Sequence, residues 1–501
     1  MRKQMGMFAF FCLLVPVMMC GCGNKITEKP LSEVKKGGFN AKASVHDPSI
    51  ITDDKGNYYI FGSHMEAAKS TDLKTWKSFA TGVNRTNPLF DNLFDSSMKA
   101  FQFVGKNTDG GYSVWAPDVI YNKKMKKYVM YFCTSSTYVK SNLCFATADK
   151  IEGPYHYQDT ILYSGFTRST IKQTNFYDIM PKGTKLSEYI NMGQYNNIKW
   201  PNCIDPTIFY DADGKMWMVY GSWSGGIFLL EIDEATGQPI HPKADEKNQV
   251  DAYFGKRLIG GGHNSIEGPY IMYDPVSEYY YLFVSYGKLE SNGGYQIRLF
   301  RSKKVDGTYT DVAGKTLGYV VDHSKYGVKM MGNYTFPSLT KSYMAPGHNS
   351  AFIDKDGKLY VVYHQRFDDG QEFHEPRVHQ MFRTKNGWLA AAPFATNGES
   401  LRKKGYSEDE VRGVYYLVNH KTDISDTIHK SKKITLEDEK VTGSSTGSYK
   451  LDSNKPNISI QIGNDTYEGV IIEMKDEAGN QTICFSGVSK DNQTIWAVRY
   501  K

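Results

Sequence analysis

The sequence predicts an all-β protein, a five-bladed β-propeller followed by a small β-sandwich or barrel-like domain. Three observations carry this. A hairpin with a distinctive head recurs five times, long helical periodicity is scarce, and short Tyr-, Val- and Ile-rich runs bounded by Asp, Gly and Asn fill most of the 501 residues. The clearest copy is Asn202–Gly226, NCIDPTIFYDADGKMWMVYGSWSGG, with Ile204–Tyr210 as one strand, Asp211–Lys215 as the turn and Met216–Ser222 as the second strand. Related runs begin at His46 (HDPSIITDDKGNYYIFGS), Ala116 (APDVIYNKKMKKYVMYF), Glu267 (EGPYIMYDPVSEYYYLFVSYG) and Gly347 (GHNSAFIDKDGKLYVVYHQRF). Repeats at roughly 60–90 residue intervals fit blades of about four strands around a common channel.

In chain order, Met1–Gly21 pairs Arg2 and Lys3 with an apolar run that ends at Cys20-Gly21-Cys22, the pattern of a secretory signal. Cys22, preceded by the small Gly21, is the expected lipidation site, as in a bacterial lipoprotein. That places the protein on the outer membrane by a lipid anchor, with residues 22–40 as a tether. Residues 41–396 form the propeller. MEAAKSTDLKTW continues the first blade, and polar insertions at Thr81–Tyr112 and Gln158–Lys199 precede the second and third. Residues 397–410 turn polar and read as a linker, and residues 411–501 return to alternating strand-like runs. Of the seven cysteines, Cys133, Cys144, Cys203 and Cys484 lie beyond the signal without CxxC spacing, which argues against a thiolate metal site. Cys133 and Cys144 either join across the second-blade hairpin or remain buried thiols.

The net charge of +6 is dispersed, with no basic block or stripe, so nucleic acid is not an expected partner. The 36 tyrosines and 7 tryptophans suit blade packing and sugar stacking equally.

The repeat aligns five blade-heading residues, Asp47, Asp118, Asp205, Glu267 and His348. In a propeller the inner strands run side by side along the channel, so residues far apart in sequence meet. Asp118 follows its proline whereas Asp47 and Asp205 precede theirs, so it is out of phase and reads as structural. Carboxyls sharing one cleft cannot all ionise cheaply, so one should titrate high and another low. A proton donor beside an ionised base is what glycosidic cleavage requires.

The ordered set HDP at His46, WAPD at Trp115, NCIDP at Asn202, GSWSGGI at Gly221, IEGPY at Ile266 and PGHNSAF at Pro346 resembles glycoside hydrolase family 43, and within it the endo-α-1,5-L-arabinanases. The resemblance spans about Val45 to Pro393 and implies an inverting hydrolase. It assigns Asp47 as general base, Asp205 as the carboxylate that tunes and orients the acid, and Glu267 as general acid. Inversion would set the Asp47 and Glu267 carboxyls about 6.5–9.5 Å apart. It also implies a calcium ion at His348, although one imidazole with waters is an unusual set for a hard cation, and chloride or no ion are the alternatives. His46, Trp115, Asn202, Ser222 and Trp223 are the expected sugar contacts, and the Ser222–Gly226 run departs from the usual aromatic order of these enzymes. The expected substrate is plant arabinan or its oligosaccharides, cleaved by a monomer without an organic cofactor. An exo-acting arabinofuranosidase or β-xylosidase, a non-catalytic glycan-binding propeller, and a retaining fructan-active enzyme are the rival readings.

Overall fold

The structure is a computed structural model and describes residues 26 and 28–501; Cys22 and the signal lie outside the described residues. Five antiparallel sheets follow one another along the chain. Their inner strands are Ser49–Thr52, Ser113–Asn122, Thr207–Tyr210, Ile266–Asp274 and Tyr343–Ile353, the last also pairing with the short strand Tyr334–Thr335. The fourth strand of the second sheet is His156–Tyr163, so the expected insertion from Gln158 begins six residues too early. That outer strand is half solvated, and its polar alternation reads as loop from composition. The insertion Thr81–Tyr112 is less polar in effect than in composition, since its Leu89, Phe90, Leu93 and Phe101 are buried in the core shared by the first three blades.

The heads of the inner strands share one backbone device. Asp47, Ala116, Asp205, Gly268 and His348 all have left-handed φ, of 57°, 40°, 55°, 57° and 45°. Each is followed by Pro, or by Asn349 in the fifth blade. A left-handed residue before an extended one breaks the ladder, and the strand re-enters it at the next position but one. The true equivalents are therefore these five. Asp118 lies two residues beyond its slot, and Glu267 lies one residue before Gly268, so the alignment of Glu267 with the aspartates is corrected by one position.

The residues two beyond the slot join the blades in order. Ser49 Oγ donates to Asp118, the Ile208 N–H donates to Asp118 Oδ2 at 2.6 Å, Thr207 Oγ1 donates to Pro269 O at 2.8 Å, and Ser350 Oγ donates to Pro48 O at 2.7 Å. Burial pushes the Asp118 carboxyl up to about 6, against the pull of these donors. The ring is further closed between fifth and first blades, where the Ala41 N–H donates to Glu375 Oε2 at 3.0 Å and Tyr360, Val362 and Val378 pack against Val45, Ile50 and Trp76.

The C-terminal module is a closed eight-stranded barrel, sealed by pairing of Gly413–Asn419 with Thr494–Tyr500. Closure leaves no edge to cover, which a sandwich of this size would have to protect. The two sealing strands are apolar on both faces because both faces are buried. Tyr415, Leu417, Ile495 and Ala497 fill the barrel, while Tyr416, Val418, Trp496 and Val498 pack on the fourth and fifth blades. Residues 397–410, read as a linker, are tied to both modules: Lys74 Nζ donates to Asn397 Oδ1 at 2.8 Å, and Leu401 packs on the shared core. The four described cysteines are free and buried. Cys133 stands opposite Leu143 and Cys144 opposite Phe132, so the two thiols leave the sheet on opposite faces and cannot join.

Candidate active site

Asp47 is 8% exposed and ringed by imidazoles. His46 Nδ1 lies 3.0 Å from its Oδ2, and His348 Nδ1 and His364 Nδ1 lie 3.1 and 3.6 Å from its Oδ1. Ser63 Oγ also donates to Oδ2 and accepts from the Ala116 N–H at 2.9 Å, coupling the aspartate to the second blade. Burial alone would raise this carboxyl, but His348, His46 and His364 together hold it well below the usual carboxylate range. It is the ionised group of the channel.

Glu267 is placed by three donors. Tyr295 OH reaches Oε1 at 2.8 Å, while Trp223 Nε1 and Ser222 Oγ reach Oε2 at 2.8 and 3.3 Å. All three favour the anion, yet burial first and the neighbouring Asp205 second push the group up to about 7. Asp205 accepts from the Gly268 N–H at 3.1 Å, directly beside Glu267. Burial and then the charge of Asp47 push it up to about 8. Near neutral pH the site thus holds one anion, Asp47, and a poised proton on Glu267.

The expected sugar contacts divide. Trp115 is partly exposed, packs edge-on against His64 with centroids 4.6 Å apart, and donates through Nε1 to Ser135 Oγ at 2.9 Å. Its ring remains available to a sugar. His46 stacks on His364 at 4.5 Å and floors the space beside Asp47. Asn202 does not fit its expected role: it is 1% exposed, its Nδ2 donates to Tyr138 O at 2.7 Å, and its Oδ1 accepts from Ser164 Oγ at 3.3 Å. It positions the Tyr138 loop. Ser222 and Trp223 address Glu267 rather than pointing their polar atoms at an open cleft.

Sequence reasoning overlooked Ser63, Tyr295 and His364. Tyr295 had a readable trace in PGHNS, because a Cβ on Gly347 would stand 2.2 Å from the Tyr295 ring. Only glycine there lets the tyrosine reach Glu267. His364 stacks against the same ring, with centroids 5.7 Å apart, and its Nδ1 accepts the Asp47 N–H at 3.3 Å.

Calcium takes six to eight oxygens at about 2.3–2.6 Å. His348 Nδ1 is committed to Asp47, whose oxygens are already met by Ser63, His46 and His348. Among the described residues, the group whose ligand atoms lie within 4.8 Å of one another is His46, Asp47 and His364, two nitrogens to one carboxylate. That set suits a borderline transition metal better than a hard cation. The residues do not fit a calcium ion ligated directly by protein oxygens.

A low carboxylate and a high carboxylic acid in one five-bladed channel are the pair an acid/base glycosidase requires. The family described as "Glycosyl hydrolases family 43" matches residues 41–185 and 161–389, and a "C-terminal lipocalin-like domain" matches residues 393–497. The chain belongs to glycoside hydrolase family 43. It is 37% identical over 471 residues to extracellular endo-α-(1→5)-L-arabinanase 2 of Bacillus subtilis, covering 91% of this chain and 92% of that one. It is 36% identical over 474 residues to the extracellular endo-α-(1→5)-L-arabinanase of Thermotoga petrophila, covering 91% and 94%. A crystal structure of the Thermotoga petrophila endo-1,5-α-L-arabinanase superposes with a TM-score of 0.80 at 35% identity, over 93% of this chain and all of that one. A family 43 protein from Bacillus licheniformis gives a TM-score of 0.81 at 38% identity, over 92% and 99%.

Proposed function

We propose that this enzyme hydrolyses α-1,5-linked L-arabinan internally, with inversion. The observation that carries the reading is the opposed titration of Asp47 and Glu267 in one channel, in a chain whose relatives at 36–37% identity over nine-tenths of their length are named as endo-arabinanases. Asp47 takes a proton from a water as its oxygen attacks the anomeric carbon. Glu267, held by Tyr295, Trp223 and Ser222, gives its proton to the departing glycosidic oxygen. Asp205, protonated up to about pH 8, accepts the Gly268 N–H and so holds the backbone beside the acid. His46 and Trp115 border the sugar at the point of cleavage.

Incubation with linear arabinan tests this. A ladder of oligosaccharides with the inverted anomer in early NMR spectra supports it. Arabinose alone indicates exo action, retained configuration indicates a covalent intermediate, and no product defeats the reading. Any calcium at His348 would be held through water, and metal analysis of the purified protein tests that. The signal-like N-terminus supports a lipid anchor on Cys22 in a bacterial outer membrane, and Cys22→Ala should move the protein to the soluble fraction.

A further inference from the structure

Two clefts outside the carboxylate cluster run together at the junction of the fourth blade and the barrel. The inner one, about 520 Å³, starts at Trp223, whose indole holds Glu267, and passes Asn264, Ser265, Tyr319 and His323. The outer one, about 900 Å³, continues between the blade-four segment Val321–Lys325 and the barrel residues Lys421–Ile424 and Gln493. Val321, His323 and Ile424 line both, so the two form one continuous groove.

The barrel's share of this groove is fixed in place. Buried Arg298 donates through NH2 to Thr422 O at 2.6 Å, and Lys329 Nζ and Gln296 Nε2 donate to Asp423 O at 2.8 and 2.9 Å. Gly294 passes so close to Ser425 that a Cβ would meet its backbone at 2.8 Å. Ile424 is thereby pinned beside a channel formed by a different module. On the propeller side Tyr319 is 74% exposed, with its ring over Gly262, and Val321 is 98% exposed. Asn264 is 6% exposed and lines the groove; its Nδ2 donates to Val320 O at 2.8 Å, but its Oδ1 has no partner among the described residues. A buried acceptor left open favours a ligand that brings a donor, such as a hydroxyl. Exposed aromatic surface beside unspent polar atoms is the chemistry that receives a sugar ring.

We infer that this groove binds further units of the arabinan chain, with Tyr319 as the platform and Ile424 of the barrel as the opposite wall, so that the C-terminal module is part of the substrate site. The inference rests on the proposed arabinanase activity and extends it.

The test compares kcat/KM on linear α-1,5-arabinooctaose with that on arabinotriose for the wild type, Tyr319→Ala, Ile424→Ser and the double variant. Both side chains are at least partly solvated, so melting temperature should confirm intact folding. The octaose-to-triose ratio is expected to fall about tenfold in the double variant, mainly through KM. A ratio within twofold of wild type, in an enzyme that still cleaves arabinan, overturns the groove alone. A wild type that releases nothing from either oligosaccharide overturns the arabinanase reading and the groove with it.

Discussion

Asp47 and Glu267 are both buried carboxyls of one channel, yet they titrate on opposite sides of the ordinary range: burial raises Glu267, whereas at Asp47 the surrounding imidazoles outweigh burial. The consequence is a pH–rate profile of defined sign. The proposed mechanism needs Asp47 ionised and Glu267 protonated, so kcat/KM should be level from about pH 4 to 6 and fall up to tenfold per unit above about 7. An alkaline limb first appearing above pH 9 would sink the assignment. Tyr295→Phe removes a donor that favours the Glu267 anion, so the limb should move to higher pH while kcat falls. Stability should respond as well. The raised carboxyls of Asp205 and Glu267 bind more protons folded than unfolded between about pH 4 and 8, so their contribution is full below that window and lost as pH rises through it. Asp205→Asn should therefore raise the melting temperature at pH 8 and leave it nearly unchanged at pH 4.

At the scale of the strand, the left-handed head residue decides what reaches the channel. In the fourth blade that slot is Gly268, and the channel carboxyl comes from Glu267 before it, where the chain is still in the ladder. The five heads share a proline or asparagine signature that composition displays, but the shift of Glu267 by one position is visible only once φ is known. Gly347→Ala tests the fit between neighbouring inner strands. The added methyl would overlap the Tyr295 ring, at a cost of about 1–3 kcal/mol in stability. Urea denaturation should register that loss and activity should fall with it; a fully active, equally stable variant would contradict the packing.

At the scale of the molecule, propeller and barrel share one core. Trp496 of the barrel meets Tyr334 edge-on at 4.9 Å, and the strand His429–Lys430 extends the fifth-blade sheet in parallel with Tyr334–Thr335. The two modules should therefore melt in one calorimetric transition. Trp496→Ala should destabilise that whole unit by about 3–5 kcal/mol. Two separate transitions in the unaltered protein would show that the shared core does not couple them.

Local chemistry is written in the chain. The hairpin periodicity, the Asp-Pro heads and the alternating C-terminal runs specify an all-β architecture, because strand pattern and turn chemistry depend on near neighbours. That Asp47, Asp205 and Glu267 meet in one channel could be expected for the same reason: each sits in a short signature of the repeat. Ser63 and His364 carried no such mark and Tyr295 only the indirect one of Gly347, since their roles arise from contacts with residues 16, 317 and 28 positions away. Asn202 was misread because its motif shows a polar amide but not the Tyr138 and Ser164 that consume it. Which strands close a barrel, which acid keeps its proton, and whether the second module borders the groove depend on packing across blades, and only the tertiary structure decides them.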